Sequence, residues 1–348
     1  MKTIYNLIII LLLTFSFNFA QNSKLSLNGY METSYNYNLS KSTVNSLRSY
    51  DAKANQIAIN NIHFELTGNS SDKLTYNAQI DFGTDAGVHG ILHQTAIGAG
   101  PIAVDLQEAY LTYSFNNQWK FTAGKFVTFE GIEVIEGPSN PTISRGYLFG
   151  LAEPFTHVGG YINYIPSSEV DIKVGVVNGW DLLVDNNKDK TIIARLGFNL
   201  GEPLSVGFSY SYGVEQVNAN NARNSFDITG ITNLISNVAL NFQFNYGMEK
   251  INNEDTKWMG FGIQPVIKLS EDFDLGLRAE YFSDEQGART GITDLKTFNL
   301  TVVPTFKFDG LVFRFEYRLD SSNKKIFIED NGIAKTSNTI SLGLSFSF

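Results

Sequence analysis

Sixteen successive segments, most of them about 9–12 residues long, alternate apolar and polar side chains with period two. This constrains the chain more than any other feature. They are Leu25–Asn38, Ile57–Gly68, Lys73–Gly83, Leu106–Phe115, Gln118–Phe126, Thr156–Ile165, Val170–Trp180 and Thr191–Asn199, then Leu204–Gly213, Asn224–Leu234, Asn237–Met248, Lys257–Leu269, Phe273–Ser283, Leu295–Phe308, Leu311–Asp320 and Asn338–Phe348. Period two places alternate side chains on opposite faces of a strand. The closing segment, NTISLGLSFSF, sets Ile340, Leu342, Leu344, Phe346 and Phe348 against Thr339, Ser341, Gly343, Ser345 and Ser347. Such a strand fits a soluble core, or a wall with lipid on one side and a wet lumen on the other. Ile231 interrupts the polar face of Asn224–Leu234, the least regular segment.

The connections decide between the two. Long gaps (Leu39–Gln56, Thr84–Asp105, Val127–Phe155, Ser321–Ser337) alternate along the chain with tight ones (Asn69–Asp72, Asn116–Asn117, Pro166–Glu169, Gly201–Pro203, Asp309–Gly310). Asn-Asn and Asp-Gly suit the positive-φ positions of hairpin turns. A transmembrane barrel sorts its loops by parity in this way, and a soluble sandwich has no reason to. The expected fold is therefore all-β: one antiparallel transmembrane barrel of about 16 strands over residues 21–348. The first and last strands pair to close it. Short turns are periplasmic, as are both termini, and long loops are extracellular.

The N-terminus agrees. Lys2 precedes an apolar run, Leu7–Leu13, and a cut after Ala20 gives a signal peptide over residues 1–20. That run is too short for a membrane-spanning helix, which needs about 20 apolar residues. Mean hydropathy is −0.09, which excludes a helical membrane bundle but not a barrel, whose strands average out. With no cysteine there is no disulfide, thiolate metal site or cysteine nucleophile. The net charge is −9, with no basic tract, which argues against a nucleic-acid partner.

Charged strand residues fall on the polar face: Glu32, Glu65, Asp81, Glu108, Asp171, Asp227, Asp274, Glu280 and Glu316 against Lys120, Lys173, Arg195, Lys268, Arg278, Lys307, Arg314 and Arg318. Lipid selects such one-sidedness, because a Lys or Arg at the bilayer midplane costs roughly 2–4 kcal/mol. Sixteen strands leave an aqueous channel, and near-balanced wall charge implies weak charge selectivity. Opposed Arg and Glu side chains also brace a wall, and both readings can hold together. The longest gap, Val127–Phe155, carries Glu130, Glu133, Glu136 and Arg145, with Gly and Pro for turns. Its aromatic and apolar content argues against disorder, so it is expected to fold inward and narrow the pore, or else to pack on the rim. The expected pore-lining and constriction residues are these four with Glu108, Lys120, Arg195, Arg278, Glu280, Arg314, Glu316 and Arg318.

Several ordered pieces carry a family likeness: LNGYMETSYNYN (Leu27–Asn38), QEAYLTY (Gln107–Tyr113), GKFVTFEGIEVIEGPSNPTISRGYLFG (Gly124–Gly150), EPFTHVGG (Glu153–Gly160), VVNGWD (Val176–Asp181) and DNNKDK (Asp185–Lys190). In these the chain resembles the OmpL-like β-barrel porins of Gram-negative outer membranes. The resemblance implies an outer-membrane channel, with a terminal-Phe strand that the barrel-insertion machinery reads. It brings no catalytic residues. The expected function is passive diffusion of small hydrophilic solutes or ions. The alternative is a loop-occluded structural or adhesive barrel. The apolar outer face fits outer-membrane lipid or a neighbouring copy in a homo-oligomer equally.

Competing sites are weaker. His89 and His93 have a metal-compatible spacing but sit among glycines with no third ligand, and no cofactor motif is present. Asp185, Asn187 and Asp189 begin like a calcium loop, but Lys190 stands where that loop needs glycine, so an Asx-stabilised turn is expected. His63 and His157 are the strand-borne candidates for catalysis, and neither belongs to a nucleophile motif, so no enzyme is expected.

Overall fold

The computed structural model describes residues 25–93, 103–201, 204–217 and 220–348, without the side chains of 89–93 and 234. The signal-peptide segment, part of the 201–203 turn and the His89/His93 pair lie outside what is described.

In chain order the barrel strands are β1 (Leu25–Asn38), β2 (Gln56–Asn69), β3 (Leu74–Gly83), β4 (Ala103–Ser114), β5 (Trp119–Val127), β6 (Thr156–Ser167), β7 (Val170–Val177), β8 (Thr191–Asn199), β9 (Leu204–Val214), β10 (Ala222–Ile235), β11 (Val238–Ile251), β12 (Glu254–Lys268), β13 (Phe273–Asp284), β14 (Leu295–Phe308), β15 (Leu311–Ser322) and, after a small hairpin (β16, Phe327–Glu329; β17, Gly332–Ala334), β18 (Thr336–Ser347). The sixteen long strands form one closed antiparallel barrel, each paired with its neighbours. Closure runs through β1 and β18, in register from Tyr30–Ser347 to Asn38–Thr339.

Alternation sorts the side chains as the sequence implies. On β18, Leu342 is 51% exposed on the outside, while Ser341 is buried and receives a hydrogen bond from Asn36 Nδ2 at 2.7 Å. Inside, the wall is polar, with Glu32, Asn61, Gln79, Asn245, Arg278 and Glu316 all buried.

Three connections depart from expectation. Between β11 and β12 there is no long loop: the strands run on to a two-residue turn in which Asn252 and Asn253 have φ of 51° and 68°. Two positive-φ residues make the tight turn whose twist matches the hairpin, and asparagine tolerates it. The alternation of short and long gaps therefore breaks once among the described residues. Asn116–Asn117, by contrast, is not a positive-φ pair. Asn116 Oδ1 instead accepts the Gln118 and Trp119 N–H groups, both at 2.9 Å. The turn between β14 and β15 does use positive φ, at Asp309 (48°) and Gly310 (81°). The β3–β4 connection, read as glycine-rich loop, opens with a helix, α1 (Thr84–His93), with Asp85 favourably in its first turn.

Candidate functional site

The segment 128–155 leaves the end of β5 and crosses the lumen, exchanging hydrogen bonds with strands all round the barrel. Val127 N–H donates to Glu108 on β4 at 2.8 Å. The Phe129 carbonyl accepts from Ser209 at 2.6 Å and Arg195 at 3.2 Å. Glu130 accepts from Ser211 on β9 (2.8 Å) and Ser225 on β10 (2.7 Å), and Gly131 N–H donates to Asp227 (3.0 Å). Glu133 accepts from Arg278 on β13 (2.7 Å) and Gln264 on β12 (2.8 Å). Glu136 reaches back to β4, accepting from Gln107 at 2.5 Å.

The return limb is held by β13 and β15. Arg314 donates to the Gly137 and Pro138 carbonyls at 3.0 and 2.8 Å. Glu316 accepts the Ile143 and Ser144 N–H groups at 2.7 and 3.1 Å. Arg318 donates to the Arg145 carbonyl at 2.6 Å, and Glu280 accepts the Tyr147 N–H at 2.8 Å. Gly137 sits so close to the Glu32 carboxylate that a Cβ there would overlap it. Arg145 does not face open water. It is buried and staples the segment to itself, donating to the carbonyls of Val134 (2.9 Å), Ile135 (2.7 Å) and Ile143 (3.0 Å).

These contacts sort the twelve expected residues. Glu133, Arg145, Arg278, Glu280, Arg314, Glu316 and Arg318 are buried in the contact between loop and wall. Glu108, Glu130, Glu133, Glu136 and Arg195 line a cavity of about 660 Å³ on the short-turn side of the loop. Lys120 stands half-buried opposite Asn163 on β6, outside that lining. Residues not singled out beforehand join the site. Arg48, from the 39–55 connection, donates to Asp320 at 2.5 Å inside the barrel. Trp258 Nε1 donates to the Ala152 carbonyl at 3.1 Å, and Glu153 accepts from Gln243 at 2.5 Å.

Apolar contacts supplement the polar ones. Tyr147, Leu148 and Ala152 pack with Trp180, Trp258 and Phe282. Ile135, Phe149 and Phe155 form a second cluster, beside Tyr50. Phe126, Val177 and Ile193 form a third, against which Phe129 packs. Inward-facing Phe282, Trp258 and Ile193 thus replace polar wall where the loop docks.

Two loop carboxyls differ electrostatically. Burial, reinforced by Asp227, pushes Glu130 up to about 7. Burial would raise Glu133 as well, but Arg278, the Gly146 N–H and Arg145 outweigh it and hold that carboxyl below its ordinary value. An opposite charge and hydrogen bonds to the ionised form both favour ionisation.

The competing sites look structural. His63 Nδ1 lies 2.6 Å from Asp81 Oδ1, with Tyr30 stacked on its ring at 4.8 Å. His157 Nδ1 is 3.0 Å from the Gly179 carbonyl oxygen. Asp185 Oδ1 accepts the Asn187 N–H (2.9 Å) and Asn187 Oδ1 the Asp189 N–H (2.7 Å), an Asx arrangement, with Lys190 paired to Asp185. Among the described residues there is no group of three or more side chains that could hold a metal.

The same barrel occurs in solved outer-membrane proteins. OmpT of Vibrio cholerae, described as a trimer form, matches with a TM-score of 0.64 at 14% identity, over 94% of this chain and 99% of that one. The outer membrane channel DcaP of Acinetobacter baumannii matches with a TM-score of 0.65 at 13% identity, over 94% and 98%. An anion-selective porin from Comamonas acidovorans matches with a TM-score of 0.65 at 10% identity, over 94% and 100%. At such identities the likeness is one of fold. No curated protein matches the sequence. A family model described as "Putative beta-barrel porin-2, OmpL-like" matches residues 24–348. With a closed sixteen-stranded barrel and a match along nearly its whole length, the chain belongs to the OmpL-like family of outer-membrane β-barrel porins.

Proposed function

We propose that the barrel is a channel for passive diffusion of small hydrophilic solutes or ions, and that the 128–155 segment is its constriction. The observation that carries this reading is the path of that segment: one chain between β5 and β6 bonds to β4, β9, β10, β12, β13 and β15. A loop on the rim has no need of such partners. Charged side chains of both signs at a narrowing give weak charge preference.

In this reading residues 1–20 direct export, the termini are periplasmic, and the β18 strand with Phe348 is read by the insertion machinery. The outer apolar face meets lipid or further copies, as in a homo-oligomer. The protein is a conduit with no catalytic role.

Purified protein in a planar bilayer tests the proposal: stepwise current is expected, and shortening within Glu130–Arg145 should raise the step size. Unchanged steps would remove the constriction from the account.

The three buried apolar clusters inside the lumen favour a second reading, a loop-occluded barrel with structural or adhesive duty. It predicts no steps in the full-length protein and steps only after shortening.

A further inference from the structure

The vestibule on the short-turn side of the loop carries features that an unselective aqueous conduit does not need. Ile231, which breaks the polar face of β10, is 53% exposed and lines the cavity, as does Val134 of the loop at 39%. Apolar surface is thus left on water inside the vestibule.

Facing the same cavity, Lys173 on β7 and Arg195 on β8 are direct register partners. Like charges opposite each other on paired strands repel, so their pairing needs a compensating gain. Asp171 Oδ1 stands 3.9 Å from Lys173 Nζ, an ion pair but not a hydrogen bond, and offsets one of the two charges. Arg195 is seated rather than free: its guanidinium occupies the space that a side chain at Gly207 would fill, and Nη1 donates to the Phe129 carbonyl at 3.2 Å. The Phe129 ring lies 5.2 Å from Lys173 Nζ.

The other lining carboxylates all accept hydrogen bonds, Glu136 from Gln107 and Glu169 from Ser168 among them, but only Glu133 meets a cation. Glu108 accepts the Val127 N–H, Glu130 the Ser211 and Ser225 hydroxyls, and Glu133 the Arg278 guanidinium. Lys173 and Arg195, with Asp171 beside them, form a cationic corner of the vestibule next to an apolar wall.

We infer that this vestibule binds an amphipathic organic monocarboxylate, its carboxylate between Lys173 and Arg195 and its apolar body along Phe129, Val134 and Ile231. An inorganic anion would satisfy the cations but leave the apolar wall wet. A neutral hydrocarbon would do the reverse. The guanidinium donors that Arg195 does not spend on Phe129 and Ser209 offer a carboxylate charge-assisted hydrogen bonds. The inference rests on the channel reading only in that a solute must reach the vestibule from the short-turn side.

The test uses full-length protein in lipid nanodiscs, with 4-phenylbutyrate as probe and binding followed by calorimetry. Phenylbutyrate should bind at least about tenfold more tightly than acetate or 4-phenylbutylamine, a factor of ten being ~1.4 kcal/mol. Lys173→Gln, which breaks no hydrogen bond to the loop, should weaken phenylbutyrate about tenfold or more, and Arg195→Lys should retain most of the affinity that Arg195→Gln loses, the scale of a hydrogen bond to a charged group. Ile231→Asn should weaken phenylbutyrate while leaving acetate unchanged. Equal affinity for the amine and the carboxylate, or full affinity in folded Lys173→Gln, would overturn the inference. Potassium chloride current through the same protein is read separately. Current without carboxylate binding removes the site and leaves the channel; binding without current does the opposite.

Discussion

Arg278 on β13 and Glu133 in the inward loop meet at 2.7 Å, both side chains shielded from solvent, although 145 positions separate them in the chain. Arg278 also donates to the Ser144 carbonyl at 2.5 Å and to Thr142 Oγ1 at 3.0 Å, so one guanidinium ties both limbs of the loop to the wall. Removing one partner of a buried ion pair leaves the other uncompensated, at about 3–5 kcal/mol. Arg278→Ala is therefore expected to release the loop and raise single-channel conductance. In a double-mutant cycle with Glu133→Gln, the two changes should cost much less together than their sum, because they share one interaction.

The loop should respond to pH through Glu130. Its folded-state value is raised to about 7 from 4.5, so between these limits the docked loop holds more protons than the released one. The docking contribution is full below about 4.5 and is lost as pH rises through about 7. Conductance noise, or exchange of the loop amides, should accordingly increase from pH 5 to pH 8. Glu130→Gln should abolish that change. A pH response that persists in Glu130→Gln would assign it to another group.

Trp258 anchors the far limb. Its ring packs with Trp180, Tyr147 and Phe282, and its Nε1 serves both the Ala152 carbonyl and Asn245 Oδ1 at 3.1 Å. Trp258→Ala should lower stability by about 3–5 kcal/mol, the usual cost of emptying a buried aromatic site. Trp258→Phe keeps most of the apolar contact and loses the donor, so it should cost much less. Unfolding in denaturant, followed by gel mobility of the folded barrel, checks both.

The seam gives a further prediction. Gly29 and Phe348 exchange two backbone hydrogen bonds of 2.9 Å, and the Phe348 ring covers the space a side chain at residue 29 would take. Gly29→Val should clash with the His63 carbonyl as well as that ring, and slow formation of the heat-modifiable folded band.

Much of this was legible in the sequence, for a physical reason. A strand between lipid and water must alternate strictly, so segments such as Asn237–Met248 declare their faces. Ile231 appeared as a blemish in that pattern, and its position at the cavity explains it. The inward path of the loop was readable only as length and composition. Its partners were not, because pairs such as Arg278–Glu133 or Glu316–Ile143 depend on which strands lie opposite once the sheet has closed. The turn at Asn252–Asn253 carried a signal that was open to use, but the polar ends of β11 and β12 read as loop. The α1 helix was hidden by its glycines, which are poor helix formers and here are outvoted by context.

The pairing of β1 with β18 also sets an order in time. These two strands are more than 300 positions apart, and each is an unpaired edge until the other arrives. No partial product of synthesis can be a pore, however many hairpins it has formed. An exported chain must therefore travel with two adhesive edges exposed. Its escape from aggregation is decided before it reaches the membrane, by whatever shields those edges in transit rather than by any contact in the finished barrel.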